Sequence, residues 1–494
     1  MRTEPNDAPA RRRKILFTDW RDVDCGSVAW LTADGERYRV GNPPGEPVAM
    51  WAEQPSVPRG IRLQAQPARK AGVIEGLPDV GHVVFEDGRY RSWYLQVNGI
   101  SRFGTGAPAH QRPPELVEIC SVESPDGLHW SAPTRSRIEA PARRDFDGMS
   151  FFIDPHAPAD ERYKFIYCAT FDEGVFPSHV DAYLRREPRH RDARMTGERR
   201  YGMFAAVSPD GITWRSLPEP FTLHPSDTDT TVFWDDDLGV YVMYTRLFRD
   251  GRRWIGRAEA PDFAHWGPVE PAVWPRLDDP PDYDYYLNGH SLYPGAPEYR
   301  LMLPMLYHRY TERSHVRLYS TADGIAWSEV PGGPVLAPGE PGTWDSEFIG
   351  TGKDLVPFGP GRIAIPYSGV GFPHKYPRWR HVFDAMRTGW AWWPEDRLCA
   401  VVADYEGEFH TPPMLPAGRR IRLDFRTPAA GRIRIGIDGI EGRSAADCDP
   451  LAGDHAGQLV TWRGGEADLG VPADRPVSLH VTLRSAELFS IMFE

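Results

Sequence analysis

Four acidic residues stand far apart along this 494-residue chain, each at the head of an apolar run: Asp79, Asp147, Asp229 and Glu347. A carboxyl group kept protonated can give its proton to a leaving oxygen, and an ionised carboxylate beside it can activate water or attack an acetal carbon. Acids of this kind brought together therefore suit cleavage of a glycosidic bond. Crowding of like charges raises at least one of their pKa values, which supplies the protonated member without a special partner. Glu347 is the one glutamate at such an entrance and is the candidate acid; Asp227, Asp284 and Asp345 hold similar entries as reserves. The competing reading for each acid is a turn carboxylate satisfied by backbone N–H groups. His82, Asp227, Arg246, Tyr285, Tyr286, Asn288, His290 and His308 lie at or just after the same entrances, and their rings and donors could stack a sugar and hold its hydroxyls. Trp93 reads as core.

Distant acids meet only if the chain repeats itself around a common centre. The stretch from Ser226 to Arg246 shows the unit: an acid-rich entry, the apolar run Val232-Phe233-Trp234, an Asp235-Asp236-Asp237-Leu238-Gly239 turn, and a return through Tyr241 and Tyr244. Alternation bounded by Asp/Gly turns predicts a hairpin. Related hairpins open at Asp79, Asp147, Asn288 and Asp345. Most are followed by a second signal, an Asp four residues before a Trp: Asp126/Trp130, Asp210/Trp214, Asp262/Trp266 and Asp323/Trp327. Asp-Gly between apolar runs is a tight turn, so these acids read as structural and each unit as four strands. Repeated four-stranded units limit exposed sheet edges by radial arrangement, which predicts an all-β, five-bladed β-propeller. In that fold the innermost strands line a central funnel, and residues heading them converge.

The expected organisation is a disordered basic tail over 1–14, a propeller over 15–404 whose first residues wrap the fold or supply the strand that closes its ring, and a C-terminal β-sandwich over 405–494. The last rests on alternating runs such as Ile421-Arg-Leu-Asp-Phe425 and Val477-Ser-Leu-His-Val-Thr-Leu483. The Arg- and His-rich insertion Arg185 to Arg200 reads as a solvated loop, and no long segment has helical periodicity.

A formal net charge of −12 argues against nucleic acid as a partner, because phosphate binding needs a basic surface. Five cysteines without C-x-x-C spacing read as reduced and structural, and neither a signal peptide nor a membrane-spanning run is evident, so a cytoplasmic location is expected. No Gly-rich phosphate loop or dinucleotide fingerprint occurs, and no organic cofactor is expected. His82, His290 and His308 could converge in the funnel, where a structural cation is an open alternative.

Hairpins headed by acids, Asp79 through Tyr94 first among them, followed by a β-rich C-terminal segment, resemble the five-bladed glycoside hydrolase superfamily that includes families 32, 43, 68 and 130. The resemblance implies a glycosidase in which Asp79 is the general base, Asp147 tunes pKa and orientation, and the substrate is an oligosaccharide or a smaller glycoside. Related propellers sometimes hold a central cation. The chain departs from the pattern: the Trp-Met-Asn-Asp-Pro-Asn-Gly opening of family 32 is absent, and Asp227 and Asp229 stand where a glutamate is expected, which marks an outlying member. Two alternatives share the fold. A phosphorylase or transglycosylase would oppose one carboxylate with an Arg/His cluster such as Arg246, His308 and Arg309, and a non-catalytic glycan-binding propeller would turn its acids away from the axis.

Overall fold

The computed structural model describes residues 11–25, 29–32, 37–39, 48–49, 57–75, 77, 82–97, 100–101, 116–139, 143–188, 199–228, 230–374, 386–472 and 474–494. They are predominantly strands in antiparallel sheets. Two compact units are distinguished, one drawn from Pro67–Glu329 and Gly333–Pro394, the other from Met1–Gln66, Val330–Gly332 and Glu395–Glu494.

In the unit built on Pro67–Glu329, sheets follow one another along the chain, each a meander of short strands. The first runs Val83–Glu86, Arg89–Val97, Val117–Ser124, Thr134–Ile138, and the second Arg143–Ile153, Tyr163–Asp172, Arg199–Ser208, Arg215–Ser216. The third runs Thr231–Asp235, Val240–Arg249, Arg252–Ala260, Glu270–Val273. The fourth is broken across its middle: Tyr283–Leu287 pairs with Met305–His308, and His290–Tyr293 with Ala296–Met302. The break falls at Pro304, which has no N–H to give, and the ladder is carried past it by Leu303 N–H to the Gly289 carbonyl at 3.0 Å. The fifth contains Phe348–Thr351, Val356–Pro357, Arg362–Val370 and Arg387–Pro394, and its outer strand is Arg69–Val73, which precedes the first sheet in sequence.

Strand alternation decides how these sheets meet. On Val240–Arg249, Tyr241 and Met243 face one way and pack with Phe152, Ile166 and Met203 of the second sheet, while Val242 and Tyr244 face the other and pack with Tyr285, Met302 and Tyr319 of the fourth. The same division joins the first sheet to the second through Trp93, Phe151 and Trp214, and the fourth to the fifth through Met305, Tyr307, Phe348 and Val370. The fifth returns to the first through Phe358, Trp390, Tyr90 and Tyr94, so the contacts close on themselves. Each buried aromatic removes about 150–250 Å² from water, on the order of 5 kcal/mol before the entropy of ordering it.

The recurrent Asp/Trp segments are outer turns. Asp126 Oδ1 accepts from the N–H groups of Leu128 and His129, Asp210 Oδ1 from Ile212 and Thr213, Asp262 Oδ1 from Ala264 and His265, and Asp323 Oδ1 from Ile325 and Ala326. Backbone donors at His129 hold the Asp126 carboxyl far below the usual carboxylate range. Three of these turns also bind the preceding sheet through a carbonyl. Trp93 Nε1 donates to Gly211 O at 2.5 Å, Tyr244 Oη to Gly324 O at 2.5 Å, and Trp390 Nε1 to Gly127 O at 2.8 Å.

The other unit is organised by one long strand, Leu479–Phe493. It pairs with Cys399–His410 and Lys14–Leu16 along one edge and with Arg432–Ile437 and Ile421–Arg426 along the other, and Arg62–Ala65 extends the sheet beyond Cys399–His410. The compact units therefore do not part at 404/405: described residues before 67 belong with the C-terminal strands. The basic tail is also shorter than expected, since Arg11–Arg12 pairs with Leu415–Pro416 and Lys14 starts a strand. Among the described residues the one α-helix is Pro177–Arg186, which begins ahead of the expected solvated loop. Proline at its first position and buried Val180 and Tyr183 make it a packed element, and residues 189–198 of that insertion lie outside the described residues.

Candidate functional site

The first strands of three sheets are irregular. In Arg143–Ile153 the register slips on both sides of Asp147, and Gly148 takes φ +54°. In the fourth sheet the strand is interrupted at Asn288-Gly289, with Gly289 at φ +56°. In the fifth, Gly352 to Leu355 separate Phe348–Thr351 from Val356–Pro357, and Asp354 is left-handed at φ +59° although it carries a side chain. A non-glycine residue in that region is strained and persists where its surroundings fix it. The glycines are needed for close approach: an ideal Cβ on Gly148 would lie 2.3 Å from Thr228 O.

Side chains of the third, fourth and fifth sheets form one network. Arg246 is buried, binds Asp227 Oδ1 through Nη1, and donates from Nη2 to the Tyr286 carbonyl at 3.1 Å. Its guanidinium lies 4.3 Å from the centre of the Tyr286 ring, and that of Arg253 lies 4.9 Å from the same ring. Tyr286 Oη is 3.1 Å from His374 Nε2, and His374 stacks on Phe348 at 4.3 Å. Phe348 is followed back to Glu347, whose two oxygens both accept from Arg313, from Nη2 at 2.9 Å and from Nε. A fork of this kind fixes a carboxylate in orientation and leaves no donor-free oxygen unless Arg313 moves.

A second cluster gathers around Asp354. His82 Nε2 donates to Asp354 Oδ2, and the His82 ring stacks on Phe151 at 4.0 Å. Burial opposes the Asp354 charge, but the His82, His290 and Lys353 side chains around it outweigh that and hold its carboxyl below the usual range. Of the Asp354 side chain 39% is accessible, so it faces space open to water. Burial pushes the His290 imidazole down to about 4, aided by Arg300, Lys353 and Arg257 against the pull of Asp354. His290 stacks on Phe233 at 4.4 Å, and its Nε2 and His82 Nδ1 are buried without a hydrogen-bond partner.

Of the expected catalytic set, Asp79 and Asp229 lie outside the described residues, and of Asp147 only the backbone is described. Asp227, Arg246 and Tyr286 are brought together, the Glu347 side chain is held by Arg313, and His82 and His290 flank Asp354. Tyr285 is not a pocket residue: its ring is buried between the third and fourth sheets, with Oη 3.0 Å from Asp279 Oδ2 and 2.7 Å from Tyr319 Oη. Asn288 is buried too, its Oδ1 accepting from Thr231 Oγ1 at 2.7 Å and from His290 N at 3.0 Å. Its work is to tie the fourth sheet to the third. His308 belongs to a separate pair, its Nε2 2.9 Å from His315 Nδ1, whose other nitrogen accepts from Arg317 Nε at 3.2 Å. The reserves Asp284 and Asp345 are engaged structurally, by Arg253 Nη1 at 2.6 Å and by Lys70 Nζ at 2.6 Å. Trp93 is core, as expected.

The residues missed are Lys353 and Asp354. Gly352-Lys353-Asp354 sits within a strand pattern and reads as a polar interruption; only the slip against Arg362–Val370 turns it inward. Among the described residues no group of three or more His, Cys, Asp or Glu side chains is placed to hold a metal ion.

No family model and no curated protein matches the chain. Solved structures similar to it include one described as a glycoside hydrolase (14% identity, TM-score 0.42, covering 67% of this chain and 92% of that one). Another is a β-1,2-mannobiose phosphorylase from Listeria innocua (12%, 0.40, 68% and 93%). A third is a fructofuranosidase from Schwanniomyces occidentalis (11%, 0.40, 86% and 96%).

Proposed function

We propose that the chain is a glycosidase whose sheets form a five-bladed β-propeller, with a C-terminal β-sandwich, and that it cleaves a glycosidic bond of an oligosaccharide or smaller glycoside with carboxylates gathered at the centre of the sheets. The reading is carried by one observation. The backbones of Gly148 and Thr228, eighty residues apart in sequence, approach so closely that a single added Cβ would clash. Asp147 precedes the one and Asp229 follows the other, so two candidate carboxylates are carried by touching segments of adjacent sheets. Asp79 is the proposed base, Asp147 and Asp229 the shared-charge pair, and Glu347 the acid once its Arg313 fork is displaced by substrate. Tyr286 and Arg246 offer a ring face and a guanidinium to the sugar. The chemistry calls on no organic cofactor, and the cytoplasm is the proposed location.

The test is amide substitution, D79N, D147N, D229N and E347Q, assayed on aryl furanosides and pyranosides. Loss of a general acid or base lowers kcat/KM by about 10²–10⁴-fold. Full turnover by both D79N and E347Q on a substrate the unaltered protein cleaves would sink the assignment. A second reading has support from the two guanidiniums over Tyr286, whose Nε atoms are buried and unpartnered in Arg246 and Arg253. Such a pair suits an anionic acceptor, so the cleavage would be phosphorolytic, and inorganic phosphate would raise the rate and appear in the product as a sugar phosphate.

A further inference from the structure

The unit organised by Leu479–Phe493 has a cavity of about 390 Å³, within the range of small-ligand pockets. Three paired strands line it. Glu406, Arg484 and Arg432 stand opposite one another in register, and Glu408 and Thr482 form the next row on the same face. Arg59-Gly60 closes one side, passing so near the Glu406 carbonyl that no Cβ fits on Gly60.

The charges here do not pair off. Glu408 is taken by Arg59, with Oε1 2.7 Å from Nη2. Arg432 and Arg484 lie directly opposite each other, an arrangement in which like charges repel. No carboxylate among the described residues, Glu406 included, lies within ion-pairing distance of either guanidinium; Arg484 meets only the Tyr405 ring, 5.8 Å from its centre. A chain of formal net charge −12 does not lack acids, yet this cavity sets three arginines against two glutamates, one of them already paired. An oxyanion between the two forks would replace repulsion by charge-assisted hydrogen bonds, leaving the rest of the cavity and the Thr482 hydroxyl for a polar body.

We infer that this cavity is a second ligand site, which takes a small polar molecule by a carboxylate or phosphate group held between Arg432 and Arg484. It rests on residues of one unit alone and holds whether or not the other unit cleaves a sugar.

The experiment is isothermal titration calorimetry of the full chain at pH 7 and constant ionic strength, with sodium glucuronate, glucose 6-phosphate and, as the uncharged control, glucose. At least one of the two anions should bind saturably, and glucose should not displace it; the preferred anion tells which head group the forks are set for. Arg432→Gln and Arg484→Gln should each weaken that binding by about tenfold or more. Without ligand, Arg432→Gln removes a repulsion and no bond, so its Tm should hold or rise, whereas a structural arginine would show a fall. The inference is overturned if neither anion binds, if both glutamine variants keep the wild-type affinity, as they would were the anion seated on the guanidiniums over Tyr286, or if Arg432→Gln lowers Tm by more than about 2 °C.

Discussion

Acidification should weaken the ring through His290. The imidazole has an ordinary value of 6.5 and is pushed to about 4 in the folded chain, chiefly by burial between Phe233 and Tyr244, with Arg300, Lys353 and Arg257 opposing a second positive charge. A folded value below the unfolded one means that the unfolded chain takes up the proton first. The full contribution is present above about pH 6.5, declines as pH falls, and is spent below about pH 4. The interval between 6.5 and about 4, at 1.36 kcal/mol for each tenfold change, amounts to about 3 kcal/mol. For a unit of this size that corresponds to roughly 4–5 °C in Tm. His315, lowered to about 3, and His308 act in the same direction, so the bare pH profile does not isolate His290. The comparison is with His290→Phe, which preserves stacking and cannot titrate. Thermal unfolding followed from pH 7 to pH 4 should show the wild type losing about 3 kcal/mol more than the variant. Parallel profiles for the two proteins would refute the argument, because they would mean that His290 accepts its proton in the folded state as readily as in the unfolded one.

Gly211→Ala should cost about 2–5 kcal/mol, from its left-handed backbone at φ +74° together with a Cβ 2.8 Å from Trp93 Cζ2, whereas Gly239→Ala, at φ +65° with open space around it, should cost only about 1–2 kcal/mol; equal losses in urea denaturation would rule out the turn as a contact between sheets. Asp154→Asn should cost about 3–5 kcal/mol, because it strands the buried ammonium of Lys164, now 3.0 Å from Asp154 Oδ2, and adding Lys164→Met should recover part of the loss in the same assay. An aromatic disulfide reagent should titrate the exposed Cys25 rapidly in the native protein and the buried Cys120, Cys168, Cys399 and Cys448 only on denaturation, burial having pushed the Cys120 thiol up to about 11; fast reaction of a second thiol would contradict the described packing.

The repeated hairpins were legible because alternation and Asp-Gly turns are local signals, and the outer-turn acids were legible because an Asp that caps backbone N–H groups two and three residues ahead needs nothing from the rest of the chain. The partners of side chains were not. Tyr285 and Asn288 look like pocket residues by type, and nothing in Tyr283-Asp-Tyr-Tyr-Leu-Asn288 says that alternate rings go to opposite neighbours, so that Tyr286 meets Arg246 while Tyr285 meets Asp279 and Tyr319. Lys353 and Asp354 were hidden for a related reason: their inward turn comes from a two-residue slip against Arg362–Val370, a property of pairing and not of composition. The helix Pro177–Arg186 escaped notice because only Val180 and Tyr183 are buried in it, too few to make a periodic pattern. The long strand Leu479–Phe493 was read only in part, as Val477 to Leu483, and its pairing with Lys14–Leu16 joins residues that no local pattern connects.

The outer strand of the fifth sheet, Arg69–Val73, sets a timetable for biosynthesis. Its partner, Arg387–Pro394, leaves the ribosome more than three hundred residues later, which at about 5–20 residues per second is roughly a quarter of a minute to a minute of waiting. During that interval the segment is an unpaired edge, and the nascent chain must keep it from premature pairing until the closing partner arrives. A circular permutation opened after Val73 would carry Arg69–Val73 to the end of the chain, where it emerges after its partner and is never the waiting edge, and a gain in soluble yield from such a rearranged gene would show that late closure, not core formation, limits how this protein is made.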